Sequence, residues 1–569
     1  MPMTSGGFDE EFDFVVVGSG GGSMCAALVM RASGKSVVVL EKTDLLGGTT
    51  ARSGGVMWIP NNPLMAKDGV EDSYEKSMTY LDATAGASID APGASKERLS
   101  AYVTQGANMV NFLMGQGVKL RRSPYWPDYY DDRPGGSAPG RTVMAEVFDV
   151  NELGEWKAKL RPNAIKVPAT LDDSLTLTTF NRSWKGKKML VKVGLRGLFG
   201  KLTGKDYVTA GNALQGRMLQ AAVKAGVDLR VNAGVTSFIL EDGAVKGVVI
   251  QRDGRDWRIG ARLGVLVNAG GFAQNQEMRD RYAPGTSVLW TGAAPGDTGE
   301  MLQAMMGIGA GVAQMEERVG HQHVLPPGEE NSDGQGITVT KVGSQLDIAK
   351  PHSIVVDQSG VRYMNESGSY MAFCKNVLER NKTVPAIPSW WIVDQYYMKT
   401  YMFCKRMPGS TLPQEWFDSG WLKKADTIEE LAVKIGVDPT VLKDTVDRFN
   451  AGAREGRDPE FHRGDRAYDN WLGDIVHTPS QAIGPVDKAP YYAAPVHPGD
   501  LGTYGGVITD DQARVLREDG SVIPGLYATG TSTASVMGRY YPGAGSSVGP
   551  SFVWGYVAAK HAAGAGNQL

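Results

Sequence analysis

The clearest chemical signal in the sequence is a glycine-rich turn followed by a carboxylate. Residues 18–23 read Gly-Ser-Gly-Gly-Gly-Ser, a turn that lets the backbone approach a pyrophosphate where a helix begins. Gly18 is suited to make the turn and Gly20 to let the phosphate approach, while the small Ser23 allows close helix packing. Glu41 is placed to accept hydrogen bonds from both ribose hydroxyls. These residues predict a dinucleotide site.

The surrounding residues predict the elements that would hold this site. Residues 12–17 and 36–40 are short, valine-rich runs typical of buried strands. Between them, a helix is predicted from about Gly21 to Ser33, ending at Gly34. The order strand, glycine turn, helix, strand is a complete βαβ unit. It places the helix N-terminus, with its partial positive charge, against the phosphates.

A second glycine patch indicates which dinucleotide is bound. Residues 45–55 read Leu-Leu-Gly-Gly-Thr-Thr-Ala-Arg-Ser-Gly-Gly and follow Glu41 almost at once. They supply small residues and hydroxyls where the ribityl chain and ring of a flavin would extend. A nicotinamide enzyme has no need of this patch, so the sequence predicts FAD.

Length and composition limit the alternatives. With 569 residues and 42% hydrophobic content, we expect two lobes with an insertion. The net charge of -3 gives no indication of nucleic acid as a partner. The three cysteines, Cys25, Cys374 and Cys404, form no CxxC pair, which argues against a disulfide framework or a metal site and fits a reducing compartment.

The chain also lacks the patterns of export or membrane insertion. Residues 1–13 have no basic stretch followed by a long apolar one. No uninterrupted apolar run approaches the ~18 residues of a membrane span. We therefore expect a cytoplasmic protein that does not cross a bilayer.

The later motifs resemble those of the flavoprotein superfamily of fumarate reductase, succinate dehydrogenase and 3-ketosteroid dehydrogenase. Residues 264–271 look like the returning strand of its FAD domain, and residues 525–531 look like its late strand. The resemblance implies an α/β fold: a Rossmann-like, split FAD-binding domain formed by residues 1–284 and 502–569. An α+β substrate domain is then inserted at residues 285–501.

Three tyrosine motifs resemble, more narrowly, those of 3-ketosteroid Δ1-dehydrogenases. They are Trp-Pro-Asp-Tyr-Tyr at 126–130, Arg-Tyr-Met-Asn-Glu-Ser-Gly-Ser-Tyr at 362–370 and Gly-Arg-Tyr-Tyr-Pro-Gly-Ala-Gly at 538–545. The resemblance assigns catalytic roles to Tyr129, Tyr370, Tyr541 and the backbone N–H of Gly545. In this sequence Tyr540 stands beside Tyr541, Tyr125 and Tyr130 lie near Tyr129, and Ser369 replaces the proline that usually precedes Tyr370.

The same resemblance implies a set of cofactor-binding residues. They are Gly18, Ser19, Gly20, Gly22, Ser23, Glu41, Lys42, Gly48, Thr49, Thr50, Ser53, Gly54, Gly55, Val235, Ala269, Gly270, Gly530, Thr531 and Val548. All seven histidines lie at or beyond His321, so none is placed like the covalent flavin link of respiratory members. We expect noncovalent FAD.

The implied reaction is 1,2-desaturation of a 3-ketosteroid. Tyr541 and Gly545 would hold the ketone oxygen, since a phenol and an amide N–H stabilise developing enolate charge. Tyr370 would remove the proton at C2, and Tyr129 would accept or pass on that proton. The flavin N5 would accept hydride from C1. The electron acceptor that reoxidises the flavin is open, with a quinone or an artificial dye as candidates.

Three other functions are kept as alternatives. A fumarate-type reductase of an unsaturated acid could use His497 to bind a carboxylate, but no arginine-centred dicarboxylate motif accompanies it, and a capped or solvated loop histidine is preferred. A Δ4(5α) 3-ketosteroid dehydrogenase pairs its late tyrosine with a serine at a different spacing. An electron-transfer or regulatory subunit would need no enolate stabilisation.

Residues 182–205 form a basic, partly apolar insertion without one acidic residue. Val191, Leu195, Leu198, Phe199 and Leu202 fall at helical spacing. A basic amphipathic helix on an anionic membrane is one interpretation, although three glycines weaken such a helix. A solvated flap over the pocket is the other, and both are kept.

Overall fold

The computed structural model describes residues 7–88, 91–163, 168–328, 342–343 and 345–566. The strands of these residues are β1 (Glu10–Val17), β2 (Val37–Leu40), β3 (Val56–Trp58), β4 (Leu120–Arg122), β5 (Thr142–Ala145), β6 (Phe148–Asp149), β7 (Tyr207–Val208), β8 (Asp228–Arg230), β9 (Val235–Glu241), β10 (Ala244–Arg252), β11 (Arg255–Val267), β12 (Val312–Ala313), β13 (Arg318–Val324), β14 (Val342–Gly343), β15 (Ser353–Val356), β16 (Ser389–Val393), β17 (Lys423–Ala425), β18 (Tyr491–Thr503), β19 (Gly506–Val507), β20 (Arg514–Leu516) and β21 (Val522–Ala528). The α-helices are α1 (Gly21–Ala32), α2 (Gly48–Arg52), α3 (Pro63–Lys67), α4 (Tyr74–Ala83), α5 (Lys96–Gly115), α6 (Leu171–Leu177), α7 (Trp184–Leu202), α8 (Ala210–Lys224), α9 (Gln276–Tyr282), α10 (Glu300–Gly307), α11 (Gln345–Ile348), α12 (Tyr370–Arg380), α13 (Gln395–Thr400), α14 (Gln414–Asp418), α15 (Ile428–Ile435), α16 (Pro439–Ala453), α17 (Ala467–Leu472) and α18 (Val548–Ala562).

The largest sheet has the order β20-β21-β11-β1-β2-β8, with β10 paired to β11 and β9 paired to β10. Its centre is parallel, since β1 pairs in parallel with both β2 and β11, and β11 pairs in parallel with β21. Strand β2 is completely buried, as is the second half of β1, which is why both strands read as continuous valine-rich runs. The predicted α/β class is confirmed.

The register of this sheet brings three distant loops together. Val17 lies opposite Val267, and Val267 lies opposite Ala528. The strands are parallel, so their carboxyl ends meet at one edge. That edge is where open α/β sheets bind ligands, and it is formed by the turns that begin at Gly18, Asn268 and Thr529.

Helices α1 and α18 pack so closely that glycine is required at their contact. A Cβ on Gly22 would lie 2.2 Å from the backbone oxygen of Ser551. A Cβ on Gly555 would lie 2.2 Å from the backbone oxygen of Gly22. This packing places the start of α18, with its Gly545-Ser546-Ser547 approach, beside the glycine turn of β1.

A second sheet has the order β14-β13-β18-β16-β15, with β17 also paired to β18. Helix α12 packs on β13 and β18. This sheet therefore positions the first residue of α12, which is Tyr370. Among the described residues, no helix is both long enough and apolar enough to cross a membrane.

Candidate active site

The glycine turn after β1 is held by backbone geometry that no other residue type fits. Gly18 has φ +91°, and a Cβ there would lie 2.3 Å from the carbonyl oxygen of Asn268. Helix α1 begins after Gly20, which makes no side-chain capping bond. A phosphate can therefore approach the backbone at the positive end of this helix.

The acidic residue at the end of β2 is part of a local hydrogen-bond network. Glu41 is buried, and it accepts hydrogen bonds from the Ser19 hydroxyl at 2.5 Å and from the Thr43 hydroxyl at 3.0 Å. The Ser19 hydroxyl in turn accepts from the Gly47 backbone N–H at 2.9 Å. The network ties the first glycine turn to the second glycine patch, which places both patches on one cavity.

The two glycine patches at residues 18–23 and 45–55 together form what we call the cofactor cradle. The cavity has a volume of about 860 Å³ and extends from this cradle to the tyrosines. Seventeen of the nineteen predicted cofactor-binding residues line it: Gly18, Ser19, Gly20, Glu41, Lys42, Gly48, Thr49, Thr50, Ser53, Gly54, Gly55, Val235, Ala269, Gly270, Gly530, Thr531 and Val548. Gly22 and Ser23 do not. Gly22 donates its backbone N–H to the Ser551 hydroxyl at 3.3 Å, which holds α1 to α18. Ser23 accepts from the Asn268 amide at 3.0 Å, which holds α1 to the turn after β11.

The three predicted catalytic tyrosines lie together in the same cavity. The ring centroids of Tyr370 and Tyr541 are 5.0 Å apart, those of Tyr129 and Tyr370 are 5.3 Å apart, and those of Tyr129 and Tyr541 are 5.8 Å apart. The phenol of Tyr370 is in hydrogen-bonding contact with both of the others. Three distant motifs therefore place their side chains at one point.

The turn before α18 positions Tyr541 and Gly545. The Tyr541 hydroxyl is 3.0 Å from the Ser547 hydroxyl, and it is also in contact with the Gly545 backbone. Gly545 has φ +95°, and a Cβ there would lie 2.3 Å from the carbonyl oxygen of Val56. The backbone N–H of Tyr129 donates to the carbonyl oxygen of Pro542 at 2.9 Å. Tyr129 is thus fixed to the turn that carries Tyr541.

Burial sets the protonation state of these groups. It raises the pKa of Tyr370 well above the usual phenol value, and it also raises the pKa of Tyr129 and of Tyr541. Neighbouring phenols add to the effect at Tyr370, since two phenolates so close would repel. At neutral pH these side chains are proton donors in the free protein.

Three further polar groups at the site were not predicted from the sequence. The phenol of Tyr468 contacts that of Tyr129, with ring centroids 4.2 Å apart. The Gln345 amide donates to the Tyr468 hydroxyl at 2.6 Å. His321 lies 5.5 Å from Tyr370 between ring centroids, and burial lowers its pKa to about 3, so the imidazole is neutral.

The tyrosines adjacent in sequence to Tyr129 and Tyr541 face away from the cavity. Tyr130 and Tyr540 do not line the cavity. They pack edge to face against each other at 5.9 Å between ring centroids, and the guanidinium of Arg133 lies over both rings. In each pair of adjacent tyrosines, 129–130 and 540–541, one side chain therefore lines the cavity: Tyr129 in the first pair and Tyr541 in the second. Tyr125 is 46% exposed and also lies off the cavity lining.

The interpretation of His497 as a loop histidine was wrong. His497 lies within β18, and its ring packs against Trp290 at 5.0 Å between ring centroids. Burial lowers its pKa to about 4, so it carries no charge at neutral pH. It is also absent from the cavity lining.

The described residues contain no cluster of histidine, cysteine or acidic side chains suited to a metal ion.

A buried ion-pair network holds the loop that carries Tyr129. The Arg141 guanidinium bonds both carboxylates of Asp72 and Asp128 and is completely buried. The Asp128 carboxylate also accepts from the Trp58 indole at 2.8 Å and from the Ser137 backbone at 3.1 Å. Burial raises the pKa of Asp128 to about 6, against the opposing effect of Arg141.

We predict that Arg141→Met lowers the free energy of unfolding by about 3–5 kcal/mol, because it leaves two buried carboxylates without their partner. Urea unfolding followed by tyrosine and tryptophan fluorescence measures this loss. Arg454→Met is the matched control, since the Arg454 side chain is 58% exposed in its pair with Asp487 and such pairs contribute about 0–1 kcal/mol. Equal effects of the two substitutions would contradict the prediction.

The comparisons with known proteins agree with this geometry. The FAD binding domain family matches residues 13–548. A 3-oxosteroid 1-dehydrogenase of Mycobacterium tuberculosis is 39% identical over 97% of this chain and 98% of its own. A 4-oxocyclohexanecarboxylate 2-dehydrogenase of Sinomonas cyclohexanicum is 34% identical, over 97% and 93%. The crystal structure of 3-ketosteroid delta1-dehydrogenase from Sterolibacterium denitrificans in complex with 1,4-androstadiene-3,17-dione superposes with a TM-score of 0.89 at 35% identity, covering 98% of this chain and 100% of that chain.

The cofactor cradle lies at the strand ends of the largest sheet and shares one cavity with the buried phenols. This arrangement, with the FAD binding domain match, defines an FAD-dependent oxidoreductase. Within that class, the chain belongs to the 3-oxosteroid 1-dehydrogenase family. The FAD prediction is confirmed. The dehydrogenase interpretation is supported over the reductase of an unsaturated acid and over the Δ4(5α) alternative.

Proposed function

We propose that this protein introduces the 1,2 double bond into 3-ketosteroids, converting a 3-oxo-4-ene into a 1,4-diene-3-one. The observation that supports the proposal best is the convergence of Tyr370 and Tyr541 in the cavity that also contains the cofactor cradle. The relative whose structure is so similar was solved with a steroid of this product type.

FAD, when bound in the cradle, supplies the acceptor for the hydride that leaves C1. The Tyr541 hydroxyl and the Gly545 N–H hold the ketone oxygen and stabilise its developing negative charge. Tyr370 takes the C2 proton, and Tyr129 shares that proton through its hydrogen bond with Tyr370. Gly545 precedes α18, so the positive end of this helix favours negative charge on the same side.

An anaerobic titration tests the function directly. Androst-4-ene-3,17-dione added to the holoenzyme should bleach the flavin absorbance near 450 nm, and 1,4-androstadiene-3,17-dione should appear in stoichiometric amount. 4-Oxocyclohexanecarboxylate should leave the flavin oxidised, and fumarate should not reoxidise the dithionite-reduced enzyme. Bleaching by 4-oxocyclohexanecarboxylate alone would assign a monocyclic ketone instead.

We further propose that the FAD is bound without a covalent link. In the described part of the chain, His321 is the one histidine on the cavity, and the three cysteines are buried away from it. Acid precipitation should release all the flavin into the supernatant.

We also propose that a quinone or, in assays, an artificial dye reoxidises the reduced enzyme.

The domain organisation remains the one proposed from the sequence, with FAD-binding parts at 1–284 and 502–569 and a substrate domain at 285–501. The distribution of strands supports it. All strands of the largest sheet come from before residue 268 or after residue 513, whereas strands β13 to β18 form the second sheet.

We propose that the protein is cytoplasmic and that helix α7 rests on an anionic membrane surface. The helix does form despite its glycines, and it displays its apolar side chains: Trp184 and Leu202 are each 77% exposed, and Leu195 is 62% exposed. Eight Lys and Arg residues and no acidic one lie between residues 182 and 205. Each basic residue near an anionic surface contributes about 1 kcal/mol, and the exposed apolar groups can enter the headgroup region.

We predict that the holoenzyme floats with vesicles containing phosphatidylglycerol but not with pure phosphatidylcholine, and that about 0.5 M salt weakens the binding through charge screening. Replacing Leu195, Phe199 and Leu202 by serine should abolish flotation. Val433→Ser is the control for general surface hydrophobicity, since Val433 is 69% exposed elsewhere. Unchanged flotation after deletion of residues 185–205 would exclude this role.

A further inference from the structure

A buried lysine on the cavity has no place in the reaction just described. Lys350 is 7% exposed and lines the cavity. Its ammonium donates to the backbone oxygens of Leu472 at 2.8 Å and Gly473 at 2.6 Å. An ammonium has three N–H donors. Within the described residues, two of them are assigned and the third has no hydrogen-bond acceptor.

Lysine is almost never fully buried without a function or an ion pair. The nearest anions are only partial partners here. Asp474 is already bonded to Arg182 and to the Tyr401 hydroxyl. Asp347 acts on Lys350 electrostatically but makes no hydrogen bond to it, and burial raises the pKa of Asp347 to about 7. Burial lowers the pKa of Lys350 to about 8, against the opposing effect of these two carboxylates. At neutral pH the ammonium form predominates and leaves a positive donor at the cavity wall.

Helix α17 connects Lys350 to the phenols. Helix α17 carries Tyr468 near its start, in contact with Tyr129, and Leu472 at its end. Four residues of a helix span about 6 Å. Lys350 therefore bonds the end of α17 that lies about one helical turn along the chain from Tyr468. Tyr541 and Lys350 line the same cavity.

Much of the cavity wall is apolar. Leu171, Leu175, Met402, Met407 and Trp471 line it. A flat hydrocarbon skeleton fits such a wall, and an oxygen at its far end would meet the free N–H of Lys350. Without an acceptor at that end, the donor would stay unsatisfied, which is costly in a buried site.

We propose that Lys350 is a specificity-determining residue that binds an oxygen acceptor at the end of the substrate opposite the reacting ketone. This inference rests on the proposed function and adds to it the substrate class: 3-ketosteroids with a keto or carboxylate oxygen on or near the D ring. A hydrogen bond from a charged donor is worth about 1.5–3 kcal/mol, which corresponds to a factor of about 10 to 150 in affinity.

The test compares steroids that differ only in this oxygen. Wild-type holoenzyme should show a KM for androst-4-ene-3,17-dione that is at least about tenfold below that for androst-4-en-3-one. A 3-oxo-4-ene steroid with a carboxylate at C17 serves as the anionic arm. A preference for the acid over the dione assigns a carboxylate acceptor, and the reverse assigns a ketone. Equal KM values for all three steroids would overturn the inference.

Lys350→Met should remove the discrimination by raising KM for the dione while leaving kcat, and the KM of androst-4-en-3-one, near their wild-type values. A merely structural role would affect all the steroids alike. Lys405→Met is the matched control, because Lys405 lines the same cavity but is exposed. Loss of discrimination in the Lys405 variant alone would also overturn the inference. If the wild type turned over no 3-ketosteroid at all, the proposed function itself would fail.

Discussion

Tyr541→Phe is expected to lower kcat/KM for androst-4-ene-3,17-dione by about 10²–10³-fold, the usual consequence of losing one donor to a developing oxyanion. The Tyr541 hydroxyl is in contact with Ser547 and with the Gly545 backbone, so removing it takes away the side-chain half of the proposed oxyanion pair. The aromatic ring at position 541 is retained, and the substitution does not change the cofactor cradle or the turn at Asn268. Flavin content per protein should therefore equal that of the wild type.

Tyr540→Phe is the matched control for this substitution. It removes the same atom from the adjacent residue, which packs against Tyr130 outside the cavity. We expect wild-type kinetics from it. Stopped-flow flavin reduction, with flavin quantified by absorbance, separates the chemical step from cofactor loss. Full turnover by Tyr541→Phe, or an equal loss in Tyr540→Phe, would refute the role of Tyr541.

The cofactor cradle could be predicted because its signals are local. A strand, a glycine turn and a helix follow one another within residues 12–33, and each glycine has its own steric reason. The strands that end at Val267 and Ala528 were predicted only through the resemblance to the family. The two residues that do not line the cavity, Gly22 and Ser23, belong to the same motif, but their side of α1 packs against α18 and Asn268.

The tyrosine cluster was predicted only through the resemblance of its motifs. Sequence spacing cannot show that Tyr129, Tyr370 and Tyr541 meet, since these residues lie far apart along the chain and only the tertiary fold brings them together. Tyr468 and Gln345 belong to no motif, and they were missed because only the tertiary fold brings α17 against Tyr129 and α11 against Tyr468. His497 was misplaced for a similar reason, because a histidine followed by proline and glycine indicates a loop, whereas here it continues the long strand β18.

The pH dependence of the wild-type enzyme follows from the position of Tyr370. Burial and the neighbouring phenols raise its pKa well above the usual value, so only a small fraction is phenolate at neutral pH. A base acts in its deprotonated form, and this fraction grows about tenfold per pH unit below the pKa. We therefore expect kcat for flavin reduction to rise with pH from about 6 to about 9, and the rise should depend on Tyr370.

Tyr370→Phe removes that base and should lower the rate of flavin reduction by about 10²–10⁴-fold, the range that a positioned proton acceptor contributes. The residual rate should no longer rise with pH. Steroid binding should persist, because the proposed ketone contacts come from Tyr541 and Gly545. Tyr363→Phe is the matched control, since Tyr363 lies in the same motif but bonds Ser389 away from the cavity at 2.6 Å. A Tyr370→Phe enzyme that kept the wild-type pH profile would show that another group removes the proton, and Tyr129, the phenol in contact with Tyr370, would be the next to test.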